Sequence, residues 1–463
     1  FTNEILNDNT SGIKQLLINN DKDNLKQIYE LFKKSKNSIK IINNILESYV
    51  NNLFDSSLNN NKNLKNNYFE FINDVINIYN KITIIIRDCF NNYIDFHCTL
   101  ANTIRKLFNN KYDDNPYCLY LVLFINNLIN KNKLNDNEKY SSIETSIKIF
   151  KIINDKDIFI ELYQKYLSNR LLLKKNIDLD IEKYTITQIK IECGTTSTSK
   201  IEKMIKDFMT INESNIQFQN YCLENNIKLK HNFEARVLTN GSWPTFKNES
   251  LIIPIEVYNS MNIFSEYYLN KNSSHKLTWY HQMDDILLSG IFNNIKYSIN
   301  CNVYQSLILL LFNDSESLNY ETILVKTGID KNIFNRVLHS LTCSKYKLLL
   351  KSNNDNNISN TEVFSINNNF KDKLKRIKLQ CPSLEIKLKK ENTQINRSML
   401  IDSTIVRIMK SRKKIDHNQL VSEVISQIRL FLPSISDMKK RIESLIEREY
   451  IERESQNVYK YLA

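Results

Sequence analysis

The stretch Ile405–Lys410, IVRIMK, lies in a run of apolar residues that recur three or four positions apart. On a helical wheel counted from Ile401, the apolar residues Ile401, Ile405 and Met409 centre near about 40°, whereas Lys410 falls at about 180°. This spacing predicts a helix that buries one face and directs Lys410 away from the core. A lysine ammonium is not a nucleophile near neutral pH, so a modification there would require a partner enzyme.

Two more helical faces follow this stretch. Their apolar residues are Leu420, Val421, Val424, Ile425 and Ile428 for the first, and Ile435, Met438, Ile442, Leu445 and Ile446 for the second. Asp416 and Gln419 fit a capping box at the start of the first of these helices. Strand candidates lie near Tyr450-Ile451 and over Val458–Leu462, with a polar turn between them. Three helices and a small hairpin indicate a winged-helix domain over residues 397–463.

The upstream sequence is also mainly helical. Residues 1–110 carry helical spacing throughout, and a second helical block extends from about 115 to 225. Gly and Pro number only five each, which favours long helices over a sheet-rich architecture. Thr322–Leu341 followed by Lys347–Leu350 is typical of helix, turn, helix and strand. We therefore predict a mainly α protein with a later α+β part.

Two short segments predict strands at the start of that α+β part. Phe233–Leu238 alternates between apolar and polar residues, and Leu251–Val257 is short and rich in β-branched residues. The segment between them, Thr239–Pro244, predicts a turn because it contains an Asn-Gly pair and a proline.

Several functional classes receive no support. No window has the roughly 18 apolar residues that a membrane span needs, and no secretory signal opens the chain. The eight cysteines include no C-x-x-C pair and the six histidines are scattered, so we expect reduced thiols and no metal site. Phosphate-loop, dinucleotide, zinc-protease and nucleophile-elbow motifs are absent, and no catalytic role is indicated. Because the chain opens with Phe1, we expect a fragment or a processed product.

Positive charge is concentrated in one part of the chain. The net charge is +12, and residues 371–416 contain 14 Lys or Arg against five Asp or Glu. Such a segment either faces an acidic partner or is a solvated linker, and composition does not choose between them. A winged helix in a basic neighbourhood also suggests DNA binding through residues 437–443. Acidic residues in and just after that helix, Asp437, Glu443, Glu447 and Glu449, disfavour contact with phosphate.

The quoted stretch resembles the neddylation motif of the cullin family, with Lys410 in the place of the acceptor lysine. Other segments that resemble cullins are Asp402, Arg412, Lys413, His417–Val424, Lys440–Ile446, Glu449–Arg453, Tyr459–Ala463, Val237–Pro244, Lys276–Trp279, Phe159–Leu172, Cys193-Gly194 and Thr198–Met204. The resemblance is specific over about 155–463 and extends only in character to residues 1–110. The GSWP turn and the terminal YKYLA look most like the cullin-1 branch, whereas HNQLVSEV leans toward other branches, so the subtype stays open.

The resemblance implies a domain order. It consists of the last N-terminal cullin repeat over 1–112, a four-helix bundle over 113–227, an α/β region with a first winged helix over 228–370, a basic linker over 371–396, and a second winged helix over 397–463. A cullin-homologous subunit of the anaphase-promoting complex is a related alternative, and the intact motif around Lys410 argues against it.

The implied function is that of a non-catalytic scaffold in a cullin-RING ubiquitin ligase, without cofactor or metal, in cytoplasm and nucleus. A RING-box protein would add a strand to the α/β region, for which the candidate residues are Phe233, Ala235, Val237, Leu238, Trp243, Ile252 and Ile253. A ubiquitin-conjugating enzyme would meet the basic patch of Lys371, Lys373, Lys375, Arg376 and Lys378. Other implied partners are a ubiquitin-like modifier with its ligation machinery, a cullin exchange factor, and a substrate adaptor bound through the missing N-terminal part. No membrane is implied, and the alternative is a winged-helix nucleic-acid-binding protein.

Overall fold

The structure is a computed structural model. It describes residues 6, 8, 12–61, 63–109, 111–112, 115–130, 136–173, 177–244, 250–352, 358–380, 390–455 and 457–462. The chain divides into two compact units. The first comprises Phe1–Leu167, Ile177–Ile201 and Lys389–Ala463, and the second comprises Ser168–Asn176 and Glu202–Leu388.

Helices fill the N-terminal half of the chain. They are α1 (Ile13–Asn19), α2 (Lys22–Phe32), α3 (Lys36–Asn60), α4 (Leu64–Cys89), α5 (Ile94–Asn109), α6 (Tyr117–Asn130), α7 (Asp136–Ile152), α8 (Lys156–Leu173), α9 (Leu179–Cys193) and α10 (Thr195–Glu224). A two-residue pair, β1 (Lys111–Tyr112) and β2 (Asn115–Pro116), lies between α5 and α6. Polar side chains start several of these helices: Ser35 caps α3 and Asp178 caps α9 by accepting a backbone N–H.

The α+β part follows. Its elements are α11 (Ile255–Lys271), β3 (Asp285–Phe292), β4 (Ile295–Asn302), α12 (Val303–Leu311), β5 (Ser317–Asn319), α13 (Tyr320–Thr327), α14 (Lys331–Thr342), β6 (Leu349–Lys351), β7 (Val363–Ile366) and β8 (Arg376–Lys378). One sheet has the order β3-β4-β8 and another the order β5-β7-β6. The predicted sequence of helix, turn, helix and strand is confirmed by α13, α14 and β6. The mainly α fold class with an α+β part is likewise confirmed.

A β-hairpin absent from the sequence prediction forms the centre of this part. Strands β3 and β4 pair antiparallel over their full length. The turn between them is Asn293-Asn294, whose φ angles of 49° and 62° are those of a tight hairpin turn that asparagine tolerates. Tyr297, Ile299 and Cys301 alternate along β4 and are buried. The Asn-Asn pair between two apolar runs was the available sequence signal.

The two strands predicted upstream are wrong as strands. Residues 232–239 have no regular secondary structure and pair with no described strand. Side chains of α10 satisfy part of their backbone, since the Ala235 N–H donates to Asn215 and the Thr239 N–H donates to Asp207. The segment predicted as Leu251–Val257 instead enters α11 after Pro254, because proline lacks the N–H that a strand needs and suits a helix start.

The terminal winged-helix domain was predicted and is present. It comprises α15 (Lys390–Arg412), β9 (Lys414–Asp416), α16 (His417–Gln427), α17 (Ile435–Glu447), β10 (Ile451–Ser455) and β11 (Val458–Tyr461), with sheet order β10-β11-β9. Strand β9 is an addition to the predicted hairpin. Asp416 caps α16 through the Asn418 N–H, but Gln419 bonds to Glu423, so the predicted reciprocal capping box does not form.

The basic linker predicted over 371–396 needs correction in the parts that the structure describes. Arg376–Lys378 is strand β8, which pairs in parallel with β4. Ile377 and Leu379 alternate with the charged residues and are buried in the core beneath the sheet. Residues 381–389 lie outside the described part, and α15 begins at Lys390. Residues 376–378 of this segment are therefore a strand of a folded sheet.

Candidate functional site

Lys410 lies in the last turn of α15 and is exposed, as the helical wheel predicts. The residues before it, Ile408 and Met409, are buried in the domain core. The ammonium of Lys410 forms no hydrogen bond or ion pair with any described residue. Its charged neighbours differ in this respect: Arg412 pairs with Glu423 at 3.1 Å, and Lys414 pairs with Glu454. Lys410 is thus an available amine among basic residues that have partners.

The chain just after Lys410 is fixed by the end of the domain. Lys413 has a φ of 64°, which ends the helix, and its N–H donates to the Met409 carbonyl at 2.8 Å. The Tyr461 N–H donates to the Lys413 carbonyl at 2.8 Å. The Lys413 ammonium lies 5.0 Å from the centre of the Tyr461 ring. The last strand, β11, therefore holds the turn that follows the lysine.

An ion-pair network joins the first and last helices of this domain. Asp402 on α15 accepts a two-pronged hydrogen bond from Arg441 on α17 and another, at 2.6 Å, from Arg448. Burial opposes ionisation of Asp402, but the hydrogen bonds and charges of the two arginines hold its pKa below the usual value. These contacts occupy Arg441, on the helix that would read DNA, and Arg448, which directly follows that helix.

The seven residues predicted to receive a RING-box strand fall into two groups. Phe233, Ala235 and Val237 pack with Phe264 and Trp279 in a small aromatic cluster beside α10 and α11. Trp243, in the turn that follows them, is buried and donates its indole N–H to Asp207 at 2.9 Å. Leu238 is half-buried, and Ile253 packs against a different core. Ile252 is exposed, and its N–H donates to the Thr327 carbonyl. The structure does not bring the seven together in one sheet.

A free sheet edge lies elsewhere, on β3. The strand is eight residues long and, in the part of the chain that the structure describes, pairs only with β4. Its outward residues include Leu287, which is 62% exposed, and Ile291, which is 73% exposed. Long apolar edges of this kind are normally covered or paired. The sequence signal that marks β3, an apolar run ending at Asn293-Asn294, was overlooked.

The five predicted basic-patch residues are all exposed. Arg376 and Lys378 lie on β8, opposite Ser298 and Asn300 of β4. Lys371, Lys373 and Lys375 precede that strand in the chain. The backbone N–H of the intervening Asp372 donates to the Tyr297 hydroxyl at 3.2 Å, which ties this approach to the sheet. The patch is therefore presented by a folded edge.

Other chemistry is not indicated among the described residues. No group of three His, Cys, Asp or Glu side chains is placed to hold a metal ion. No described helix is long and apolar enough to cross a bilayer. Seven cysteines are free, and burial raises the pKa of Cys118, Cys193 and Cys301 to about 12, so these three are poor nucleophiles. Cys381 lies outside the described residues.

Comparison with known families assigns the chain. The cullin alpha solenoid domain matches residues 1–215, the cullin alpha+beta domain matches 237–370, and the cullin protein neddylation domain matches 396–457. This chain belongs to the cullin family. The last match contains Lys410 and the network around Asp402, so the geometry of the terminal domain belongs to the part of cullins that is named for neddylation.

Curated relatives agree with this assignment. Cullin-1 of Oryza sativa subsp. japonica is 31% identical over 483 residues, which cover 100% of this cullin and 65% of the rice protein. Cullin-2 of Arabidopsis thaliana is 35% identical over 401 residues, covering 85% and 54%. Mouse Cullin-4A is 31% identical over 460 residues, covering 98% and 60%. The cullin described here thus spans between 54% and 65% of these relatives, and their differing subtypes leave its own subtype open.

We predict that Asp402→Asn lowers the free energy of unfolding of the terminal domain by about 2 kcal/mol near neutral pH, because two arginines lose a charged acceptor. The folded pKa of Asp402 is depressed, so its stabilisation is present above about pH 4 and disappears as pH falls through that lowered value. Scanning calorimetry between about pH 7 and pH 3 should show the wild-type and variant curves converging at low pH. A constant gap across this range would contradict the assignment.

Proposed function

We propose that this cullin is a non-catalytic scaffold subunit of a cullin-RING ubiquitin ligase in cytoplasm and nucleus. Its partners are a RING-box protein, a ubiquitin-conjugating enzyme, a ubiquitin-like modifier with its ligation machinery, and a cullin exchange factor. A substrate adaptor would bind the part of longer cullins that precedes this chain. The observation that carries the proposal is the apolar edge of β3, which is unpaired among the described residues, together with the exposed amine of Lys410.

The edge of β3 suits addition of a strand from the RING-box protein. In this binding mode, main-chain hydrogen bonds supply affinity and side-chain contacts supply specificity. Leu287 and Ile291 would supply the side-chain contacts that give specificity, since both lie exposed on one face of the strand. Burying two such side chains contributes about 3 to 6 kcal/mol before the costs of ordering. This edge replaces the strands proposed from sequence as our leading docking site.

Two segments without regular secondary structure offer further backbone for the same partner. Residues 232–239 and 275–281 have no regular secondary structure, and neither has strand partners among the described residues. They meet through side chains, since the ring centres of Phe233 and Trp279 are 6.1 Å apart. Their alternating burial, with Ala235 covered and Glu234 and Arg236 exposed, is that of strands. A strand supplied by a partner would allow such segments to join a sheet.

We predict that replacing Leu287 and Ile291 together by Lys weakens RING-box binding by about 100-fold, because two apolar contacts are lost from the docking edge. The measurement is co-purification after co-expression, followed by titration of the purified subunits. Val325→Lys is the matched control, since Val325 lies on α13 and, at 73%, is as exposed as Ile291.

Equal loss of binding in the control and the double variant would contradict the β3 site. A correctly folded wild-type chain that binds no RING-box protein would contradict the scaffold itself. A salt-titrated DNA-binding assay on the same protein tests the nucleic-acid alternative. We expect no specific binding, because Arg441 and Arg448 are engaged by Asp402 and the reading helix carries acidic residues.

Such a scaffold would accelerate ubiquitin transfer by its partners through a raised effective concentration. The charged conjugating enzyme is held near the substrate, and a bimolecular encounter becomes a local one. Attachment of a ubiquitin-like modifier to Lys410 would place a folded domain on the winged-helix surface. We infer that this attachment changes which positions the RING subunit occupies.

Lys410→Arg should abolish conjugation of the modifier by neddylation enzymes and leave the fold unchanged, because the side chain is exposed and has no described partner. Mass mapping of the modified lysine, together with ligase activity before and after conjugation, measures the effect. Lys439→Arg is the control, as it replaces another exposed lysine of the same domain. Conjugation at a different lysine in the wild-type chain, or activity that does not respond to it, would refute the assignment.

The basic patch would attract an acidic segment of the conjugating enzyme. Charge reversal at Lys373 and Lys375 should lower the association rate about ten-fold at low ionic strength, and the difference should vanish in about 1 M salt. Stopped-flow kinetics measures both quantities, and Lys331→Glu serves as a control because Lys331 is exposed on a different element, α14. Association kinetics insensitive to salt and to both reversals would argue against this role.

A further inference from the structure

The first turn of α8 is bonded by the terminal domain. A helix leaves its first four N–H groups without partners inside the helix. At the start of α8, the Lys156 and Asp157 N–H groups donate to the carbonyl of Leu430, at 2.9 Å and 3.2 Å. Leu430 lies between α16 and α17, more than 250 residues along the chain. The terminal domain thus acts as a cap on a distant helix.

Arg397 reinforces this contact with a side-chain clamp. Its Nε lies 2.5 Å from Asp157 Oδ2, and its Nη2 lies 2.7 Å from Asp157 Oδ1 and 2.8 Å from Asp155 Oδ1. The Arg397 side chain is only 20% exposed. Burial disfavours its charge, yet the hydrogen bonds and charges of the two carboxylates raise its pKa. Two-pronged pairs of this kind are strong and directional.

The same guanidinium also contacts the loop that carries Leu430. It lies 4.8 Å from the ring centre of Phe431, which is buried in the terminal domain. Arg397 therefore links three elements: its own helix α15, the loop before α17, and the first turn of α8. Loss of this one side chain would weaken both the ion pairs and the placement of the Leu430 carbonyl.

The contact is polar, whereas the interior of the terminal domain is apolar and self-contained. The residues that form its hydrophobic core all lie within 400–461. Loss of the clamp would therefore leave the domain folded and release it from α8. Arg397 and Lys410 lie on the same helix, 13 residues or about 20 Å apart. A change of helix direction at Arg397 would displace Lys410 by many ångströms.

We propose that Arg397 is a positioning residue for Lys410: its clamp on Asp155 and Asp157 fixes the terminal domain, and with it the direction in which the Lys410 amine is presented. The statement about Lys410 rests on the proposed function, whereas the clamp does not. With the domain fixed, an amine and a conjugating enzyme held on the same scaffold meet at a high effective concentration. If the terminal domain is released, the Lys410 amine moves through a larger volume and its effective concentration at the enzyme falls.

The clamp is tested by hydrogen exchange in the full chain. Arg397→Ala should speed exchange of the Lys156 and Asp157 amides at least about ten-fold, since helix-start amides without a partner are unprotected. Core amides of the terminal domain should keep their protection. Arg441→Ala is the matched control, because it removes a similar two-pronged pair with Asp402 that lies wholly inside the domain. Asp157→Asn attacks the clamp from α8 and covers the case in which Arg397→Ala fails to fold.

Positioning is tested by single-turnover conjugation to Lys410. With Arg397→Ala, we expect the rate constant for transfer of the ubiquitin-like modifier to Lys410 to fall about ten-fold. The KM for the enzyme that carries this modifier should stay unchanged, because that enzyme docks elsewhere and only the presentation of the acceptor amine is altered. Arg397→Lys keeps the charge but not the fork, and we expect an intermediate rate. The Arg441→Ala control should conjugate at the wild-type rate.

Two results would overturn the proposal. Unchanged amide exchange at Lys156 and Asp157 in both clamp variants would refute the clamp. Faster exchange with an unchanged rate constant for conjugation to Lys410 would refute the positioning role. If a control cullin is conjugated under the same conditions and the wild-type chain is not, the proposed function is wrong, and so is the statement about Lys410. The exchange data still decide the clamp in that case.

Discussion

Burial of one face of α15 is the constraint on which the terminal domain depends. Ile401, Ile405, Ile408 and Met409 are all buried against α16, α17 and the small sheet. Because a helix turns about 100° per residue, fixing these four fixes every other side chain on it. Arg397 then falls beside the buried stripe and Lys410 opposite it. The same apolar packing thus decides both the residue that anchors the helix and the residue that it presents.

The periodic spacing of apolar residues predicted those parts of the fold that depend only on residues close in the sequence. The three helices of the terminal domain, the exposure of Lys410 and the helix-turn-helix around α13 and α14 are written in spacings of three and four. Strands were harder, because a strand exists only with a partner. Residues 232–239 alternate correctly, with Ala235 buried, but Asn215 and Asp207 take backbone bonds that a neighbouring strand would otherwise make. The true hairpin was marked by Asn293-Asn294 and by alternation that an apolar run partly concealed.

Contacts between distant residues leave no local signal. Arg397 stands more than 200 residues from Asp155 and Asp157, and nothing in its neighbourhood distinguishes it from the other cations of a basic segment. Charge counting likewise overlooked that Ile377 and Leu379 alternate with Arg376 and Lys378 and carry a strand into the sheet. Among its described cations, Arg397 is engaged by carboxylates, whereas Arg376 and Lys378 face solvent on a folded edge.

The edge of β3, which is open among the described residues, also bears on self-association of this protein when no partner is bound. An apolar edge of eight residues is a template for another copy of itself as much as for a partner. Pairing between copies would increase with the concentration of the chain whose β3 edge is uncovered, and it would stop once that edge is occupied. If a partner strand covers this edge, the supply of that partner would limit how much of the chain stays unassociated with further copies.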